Sequence, residues 1–308
     1  MAIKIRFWGV RGSIPCPGPK TVRYGGNTPC IEIRFPEVDR LIIIDAGSGI
    51  RELGNFMMAH DLPRGPIRTE LFFSHTHWDH IMGFPFFTPI YLPSTKLKVY
   101  GPVTHEEDTL ENIVGGQMTY RYFPVRDAEL AATIEYTNLK ENRFDLGDGI
   151  ILNTKYLNHP VLCLGYRFEY AGKVLCTAYD TEPFRNLFCT DPNDPAYDEA
   201  MAREGEMVAQ EQNSLVEQFY ADADLLIHDA QYTEKEYNNG KLGWGHSPME
   251  YAREAARRTK VKAMALFHHE PIRSDDEIDA LAAVYCQPGN EEGAPNIFFA
   301  REGMEIEI

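Results

Sequence analysis

Three histidines and an aspartate crowd into six positions of one stretch, Phe73-Ser74-His75-Thr76-His77-Trp78-Asp79-His80. Imidazole nitrogens and a carboxylate grouped in this way are the donor set of a divalent ion such as zinc. A histidine-rich polar turn is the competing reading, and four candidate ligands in six residues weigh against it. Side chains of the same kind recur downstream. His159 lies in Leu157-Asn158-His159-Pro160, Asp180 in Ala178-Tyr179-Asp180-Thr181-Glu182-Pro183, and His268-His269-Glu270-Pro271 follows an apolar run ending at Phe267. Each alone reads as a turn or cap residue and gains its weight from the cluster upstream. His246, in Gly243-Trp244-Gly245-His246-Ser247-Pro248, precedes an expected helix with Ser247 as N-cap, Pro248 as first helical residue and Glu250 completing a capping box. A histidine just outside a positively polarised helix end is well placed to meet an anion.

The elements that must position these residues are expected strands. Leu71-Phe72-Phe73 reads as a short buried strand feeding the histidine cluster, and Lys4–Val10, Pro29–Phe35, Leu41–Asp45 and Leu97–Tyr100 read as strands around it. The loop Arg11–Asn27 has five glycines and prolines in its first half and is expected to be ordered by packing. Ile42-Ile43-Ile44-Asp45-Ala46-Gly47-Ser48-Gly49 has strand–turn–helix grammar, but neither a Walker lysine nor a GxGxxG, so a nucleotide loop is rejected. A helix is expected over Val103–Val114. Ile150–Leu157, Leu162–Tyr170 and Lys173–Thr177 read as antiparallel strands, the last two joined by a tight turn at Ala171-Gly172. Pro183–Asp224 reads as a mostly helical, acidic insertion. Ala223–Ala230 and Val261–Phe267 are further buried strands, Ser274–Glu277 a capping box, and Asn296–Ala300 with Met304–Ile308 a closing hairpin. Strands in two batches separated by helices imply two sheets packed face to face with helices outside, within one domain spanning 1–308 that carries the insertion at about 183–224.

Composition is that of an ordinary globular chain: 308 residues, 44% hydrophobic and 25% charged. No apolar run approaches the roughly 18 residues of a membrane span, and the N-terminus lacks a signal-peptide core, so the cytoplasm is the expected compartment. Six scattered cysteines without a close-spaced pair suggest reduced thiols. The formal charge of −16 repels polyphosphate backbones and disfavours a long nucleic acid as partner.

The order His75-x-His77-x-Asp79-His80, His159, Asp180 and a histidine at the end of a late strand resembles the metallo-β-lactamase superfamily. The resemblance spans nearly the whole chain and implies an α/β (α+β) fold, the four-layer αββα sandwich, with a metal site at one edge where strand-end loops meet. Within the superfamily the chain is most similar to the ribonuclease Z and phosphodiesterase branch. The stretches that carry this are Asn158-His159-Pro160 leading to Gly165-Tyr166-Arg167, Tyr179-Asp180-Thr181-Glu182-Pro183, Leu226-Ile227-His228-Asp229-Ala230 and Gly245-His246-Ser247.

This resemblance implies that His75, His77 and His159 hold one ion, that Asp79, His80 and the last histidine hold a second, and that Asp180 bridges them. For the last histidine His268 is preferred over His269, because it continues the register of its strand. The implied cofactors are two divalent ions, zinc first, with manganese or iron as alternatives. The implied reaction is hydrolysis of a phosphodiester by a hydroxide held between the ions. Asp79, His246 and Asp229 are the candidate catalytic residues, with His246 stabilising charge or protonating the leaving oxygen and Asp229 orienting it. Ribonuclease Z carries a long basic arm for gripping tRNA, whereas only a hairpin fits in the 21 positions from His159 to Asp180. The expected substrate is therefore a small phosphate ester such as a cyclic nucleotide, with no membrane partner and with a homodimer left open. A lactonase, thioesterase or β-lactamase on the same scaffold, a ribonuclease Z-like RNA endonuclease and a non-catalytic metal-binding module are the alternatives.

Overall fold

Side chains in Lys4–Gly9 alternate, with Ile5, Phe7 and Gly9 buried and Lys4, Arg6 and Trp8 facing outward, the period-two pattern of a strand with one covered face. The computed structural model describes residues 1–102, 108–287 and 293–308. The first half of the chain forms β1 (Lys4–Gly9), β2 (Cys30–Phe35), β3 (Arg40–Ile44), α1 (Ile50–His60), β4 (Arg68–Phe72), α2 (Trp78–Ile81), β5 (Lys96–Pro102), α3 (Leu110–Gly116), β6 (Thr133–Leu139) and β7 (Arg143–Asp145). It continues through β8 (Ile151–Leu157), β9 (Cys163–Tyr170), β10 (Lys173–Ala178), α4 (Glu199–Phe219), β11 (Leu225–Asp229), α5 (Glu234–Asn238), α6 (Met249–Arg258), β12 (Ala263–Phe267), α7 (Asp275–Tyr285), β13 (Asn296–Phe299) and β14 (Glu305–Glu307).

Among the described residues the strands make two seven-stranded sheets, ordered β14-β1-β2-β3-β4-β5-β6 and β13-β12-β11-β10-β9-β8-β7. Their facing sides share one apolar core. Ile5, Phe7, Ile33, Ile42 and Phe72 from the first sheet meet Leu164, Tyr166, Phe168, Ile227 and Phe267 from the second. On the outer face of the first sheet, Ile43, Leu71 and Val99 pack against Ile50, Leu53 and Met57 of α1, whose i, i+3, i+7 spacing makes a single apolar stripe. On the outer face of the second, Leu226, Met264 and Leu266 pack against Ala252, Ala255 and Ala256 of α6 and Ile278 of α7. Helix, sheet, sheet and helix are the four layers expected from the two batches of strands.

The connections aim the chemistry at one edge. β3 to β6 are mutually parallel, as are β10 to β13, and the loops leaving the carboxyl ends of such strands form the natural ligand crevice of an α/β sheet.

Several local expectations differ from the structure. β6 and β7 have no counterpart among the expected strands, since their half-exposed positions leave no apolar run. Of the helix expected over Val103–Val114, residues 103–107 lie outside the described residues, and the described helix starts at Leu110, capped by Thr109. In the 183–224 stretch, regular helix is confined to α4, which Asp198 caps, and Arg167 donates to the carbonyls of Phe219 and Ala221 at its far end. Ser247 is not a helix cap: α6 starts after Pro248 without a side-chain cap, because the Ser247 hydroxyl donates to Thr181 O at 2.6 Å. The last two strands are not a hairpin. β13 pairs with β12 and β14 with β1, so the turn at Arg301–Met304 passes the chain from one sheet to the other. The capping box at Ser274 and Glu277 is present.

Candidate metal centre

Every element that contributes to the site ends where it is needed. After β4, the backbone N–H of Phe73 donates to Tyr100 O on β5, and the N–H of Ser74 donates to Asp45 Oδ1 at 2.7 Å. This fixes the turn that presents His75 and His77, and α2 then carries Asp79 and His80 inward. His159 follows β8, Asp180 follows β10, Asp229 ends β11 and His268 follows β12.

These side chains converge as two groups that share one carboxylate. In each group, His75, His77, His159 and Asp180 on one side and Asp79, His80, Asp180 and His268 on the other, one donor atom per residue lies within 4.8 Å of all the others. Asp180 Oδ2 is 3.5 Å from His75 Nε2, 3.3 Å from His80 Nε2 and 4.0 Å from His159 Nε2, while its Oδ1 is 3.4 Å from His268 Nε2. Asp79 Oδ2 lies 3.1 Å from His268 Nε2 and 3.4 Å from His80 Nε2.

The outward-facing nitrogens are committed to other partners. His80 Nδ1 is 2.8 Å from Asp45 Oδ2, His159 Nδ1 is 3.0 Å from Gly245 O, and His268 Nδ1 is 3.2 Å from Gln231 Oε1. Each acceptor takes the N–H on Nδ1 and turns Nε2 towards the centre. His159 Nε2 then faces His77 Nδ1 at 3.0 Å, and His80 Nε2 faces His268 Nε2 at 3.4 Å. Buried His75 Nε2 and Asp180 Oδ1 have no hydrogen-bond partner, a cost that buried polar atoms normally avoid. Ring nitrogens facing one another, a buried imidazole nitrogen and a buried carboxylate oxygen without partners, and an N/O ligand set fit divalent cations.

Electrostatics follow from the same packing. Burial holds His75 well below the ordinary histidine range, helped by the neighbouring His80, and pushes His159 down to about 4. For His80 burial acts in the same direction, but Asp180, Asp79 and Asp45 override it and hold the ring well above its ordinary value. Burial would raise Asp180, and His268, His80 and His75 together hold it well below the carboxylate range instead.

His246 stands beside the two groups. Its Nδ1 is 3.0 Å from Asp229 Oδ2, and its ring stacks on His268 with centroids 4.9 Å apart. Burial lowers the affinity of His246 for a proton, and Asp229 reverses this, raising the group to about 9. Asp229 also accepts the backbone N–H groups of Thr181 and Ser247, so the anion near the start of α6 is the chain's own carboxylate. His269, the alternative to His268, lies outside the cluster, with its Nε2 2.7 Å from Ala300 O. His268 has a left-handed φ of 61°, which turns it out of the strand register.

Five supporting residues are not among the site residues expected from the sequence. Asp45, with a left-handed φ of 60°, holds both Ser74 and His80; its signal was the strand-ending Asp before a glycine turn. Gln231 backs His268. The backbone N–H of Ser13 donates to Asp79 Oδ2 at 2.7 Å. A Cβ at Gly12 would come within 2.4 Å of the His268 ring, so only glycine allows this loop so close. Glu182 Oε1 accepts Tyr237 OH at 2.6 Å and the Gly243 N–H at 2.8 Å, and its Oε2 accepts the Gly245 N–H at 2.9 Å. Ser13, Thr76, His77, Trp78, Asp79, Asp180, His246 and His268 line an open cleft of about 480 Å³.

No family model matches the chain. Ribonuclease Z of Thermococcus gammatolerans is 27% identical over 287 residues, covering 85% of this chain and 84% of its own length. The metallo-β-lactamase fold protein YhfI from Bacillus subtilis superposes with a TM-score of 0.65 at 16% identity over 100% of both chains. The short form of human tRNase Z superposes with a TM-score of 0.59 at 17% identity over 98% of each. The expectation that a long nucleic acid is disfavoured is overturned by these relatives, one named a ribonuclease and one a tRNase. Net charge is a global average, whereas a phosphate at the cleft feels the local groups, so −16 is no guide to the substrate's length. The fold is thus that of the solved metallo-β-lactamase fold proteins, and along most of its length the chain is similar to ribonuclease Z.

Proposed function

We propose that this chain is a binuclear metal-dependent phosphodiesterase. The observation that carries the reading is Asp180, whose two oxygens face the two groups of ligand atoms at once. His75, His77 and His159 would hold one ion, Asp79, His80 and His268 the second, and Asp180 both; zinc suits this donor set, with manganese or iron as alternatives. Bound there, the ions would supply a water acidified to near neutrality and a Lewis-acid contact to a phosphoryl oxygen. The chain's own groups do the rest. His246, oriented by Asp229, stabilises the charge on the oxygens of the pentavalent phosphorus or delivers a proton to the leaving oxygen. Asp45, Gln231 and the Gly245 carbonyl keep the ligand rings aimed.

Scissile phosphates in small esters and in RNA present the same reacting atoms, and the relatives named ribonuclease Z and tRNase Z favour RNA as a second substrate class. The six cysteines are all free, which supports a reducing compartment such as the cytoplasm. Among the described residues no helix is long and apolar enough to cross a membrane. Metal analysis of the purified protein, run beside a panel of cyclic nucleotides, linear phosphodiesters, RNA, lactones and thioesters, tests the proposal. Metal-dependent turnover of phosphodiesters is the expected result; turnover confined to lactones or thioesters overturns it.

A further inference from the structure

The chain has three tryptophans, and they are treated differently. Trp8 is half-buried, its indole N–H donates to Glu32 Oε2 at 2.8 Å, and Arg6 lies over its ring. Trp78 and Trp244 are 77% and 55% exposed, and among the described residues neither indole N–H has a partner. Both are next in the chain to a residue that borders the His159 ring. The His159 ring lies between His77, 3.0 Å from its Nε2, and the Gly245 carbonyl, 3.0 Å from its Nδ1; Trp78 and Trp244 are the chain neighbours of those two residues. Trp78 also lines the cleft. Leaving two large rings in water forgoes the burial that a core or a helix face would give them; Trp78 stands in the cleft that a substrate must enter, and Trp244 precedes the residue whose carbonyl backs His159.

The rim carries a cation as well. Lys241 Nζ lies 3.9 Å from the centre of the Trp244 ring and 5.2 Å from that of Tyr232, and Tyr232 lies 6.0 Å from His246. Among the described residues no carboxylate pairs with Lys241, so its charge stays available to an anion, while the two rings restrict its position.

We propose that Trp78 and Trp244 form an aromatic rim that stacks the nucleobases next to the scissile phosphate, making the substrate a nucleotide-containing phosphodiester. This rests on the phosphodiesterase reading and narrows it. Stacking suits an acidic chain, because it draws on the π-face that every base offers and does not depend on net charge. Lys241, on the Trp244 side, meets the phosphate that links the stacked base to the next residue.

The test uses two substrates with one leaving group, thymidine 5′-(p-nitrophenyl phosphate) and methyl p-nitrophenyl phosphate. These are assayed with the metal-loaded wild-type protein and with W78A, W244A and the ring-preserving W78F and W244F. The rim predicts that the alanine variant lacking the ring that holds the thymine lowers kcat/KM for the thymidine ester by about 10-fold relative to the methyl ester, with the matching phenylalanine variant restoring most of it. Quenching of tryptophan fluorescence by thymidine 5′-monophosphate should weaken in parallel. A ratio of the two kcat/KM values that is unchanged in every variant, with both esters hydrolysed by the wild type, overturns the rim and leaves the phosphodiesterase reading standing. No hydrolysis of either ester by the metal-loaded wild type overturns that reading, and the rim with it.

Discussion

His246 Nδ1 lies 3.0 Å from Asp229 Oδ2, an oxygen that also accepts the backbone N–H groups of Thr181 and Ser247. Three donors on one buried carboxylate oxygen fix the imidazole against β11 and leave its Nε2 as the free end, in a residue that lines the cleft. On the proposed reading the pair serves the chemistry more than the holding of ions. Replacing His246 by alanine is expected to leave the metal content unchanged and to lower phosphodiester turnover by about 10²-fold or more, the scale of a general acid. Metal analysis and steady-state rates on the same preparation check both halves, and a full-rate, metal-replete variant removes the role.

Asp45 acts through His80. Its Oδ2 lies 2.8 Å from His80 Nδ1, while its left-handed backbone is one that asparagine also tolerates. Asp45→Asn should therefore fold and bind the second ion about 10–100-fold more weakly, the usual effect of losing such a partner. Competition with a chelator measures this, and an unchanged affinity would show that Ser74 alone orients the ring.

Glu182 gathers three donors, Tyr237 OH and the N–H groups of Gly243 and Gly245, and so shapes the loop that delivers His246. Each buried donor left unpaired costs about 1–3 kcal/mol. Glu182→Ala is expected to lower unfolding free energy in urea by several times the effect of Glu182→Gln, which keeps one acceptor oxygen.

Far from the site, Asp61 receives bonds from Arg34 and Arg64. Burial pushes its carboxyl up, but the two guanidiniums outweigh this and hold it below the usual aspartate value. A depressed carboxylate stabilises the fold above its unfolded pKa of about 3.9 and loses that contribution as pH falls through the folded value. The stability gap between wild type and Asp61→Asn should thus be largest above about pH 4 and shrink as the solution is acidified, as urea unfolding at a series of pH values would reveal.

What the sequence revealed of the site is what lies close together along the chain or at the end of an apolar run. His75, His77, Asp79 and His80 share one turn and one short helix, and His159, Asp180 and His268 each follow a strand. Asp45 was legible only as a turn residue, because its partnership with His80 arises from the parallel pairing of β3 with β4. Ser247 resembles a helix cap until Thr181 O comes within reach of its hydroxyl, a contact between segments 66 residues apart. The closing strands share a turn but join different sheets, and no local pattern encodes which partner a short strand finds. Strand register favours His268 over His269, yet its left-handed φ lies beyond the strand. The structure brings His268 to the cluster by a turn of the backbone and not by continued alternation.

The central claim, two ions sharing Asp180 and driving phosphodiester hydrolysis, is tested most directly by titrating zinc or manganese into chelator-stripped protein while following ions bound and rate together. The account predicts that a phosphodiester is hydrolysed only as a second equivalent binds, and that Asp180→Ala loses both the second equivalent and the rate. Full activity with a single ion per chain, or two tightly held ions with no phosphodiester hydrolysis, would contradict it.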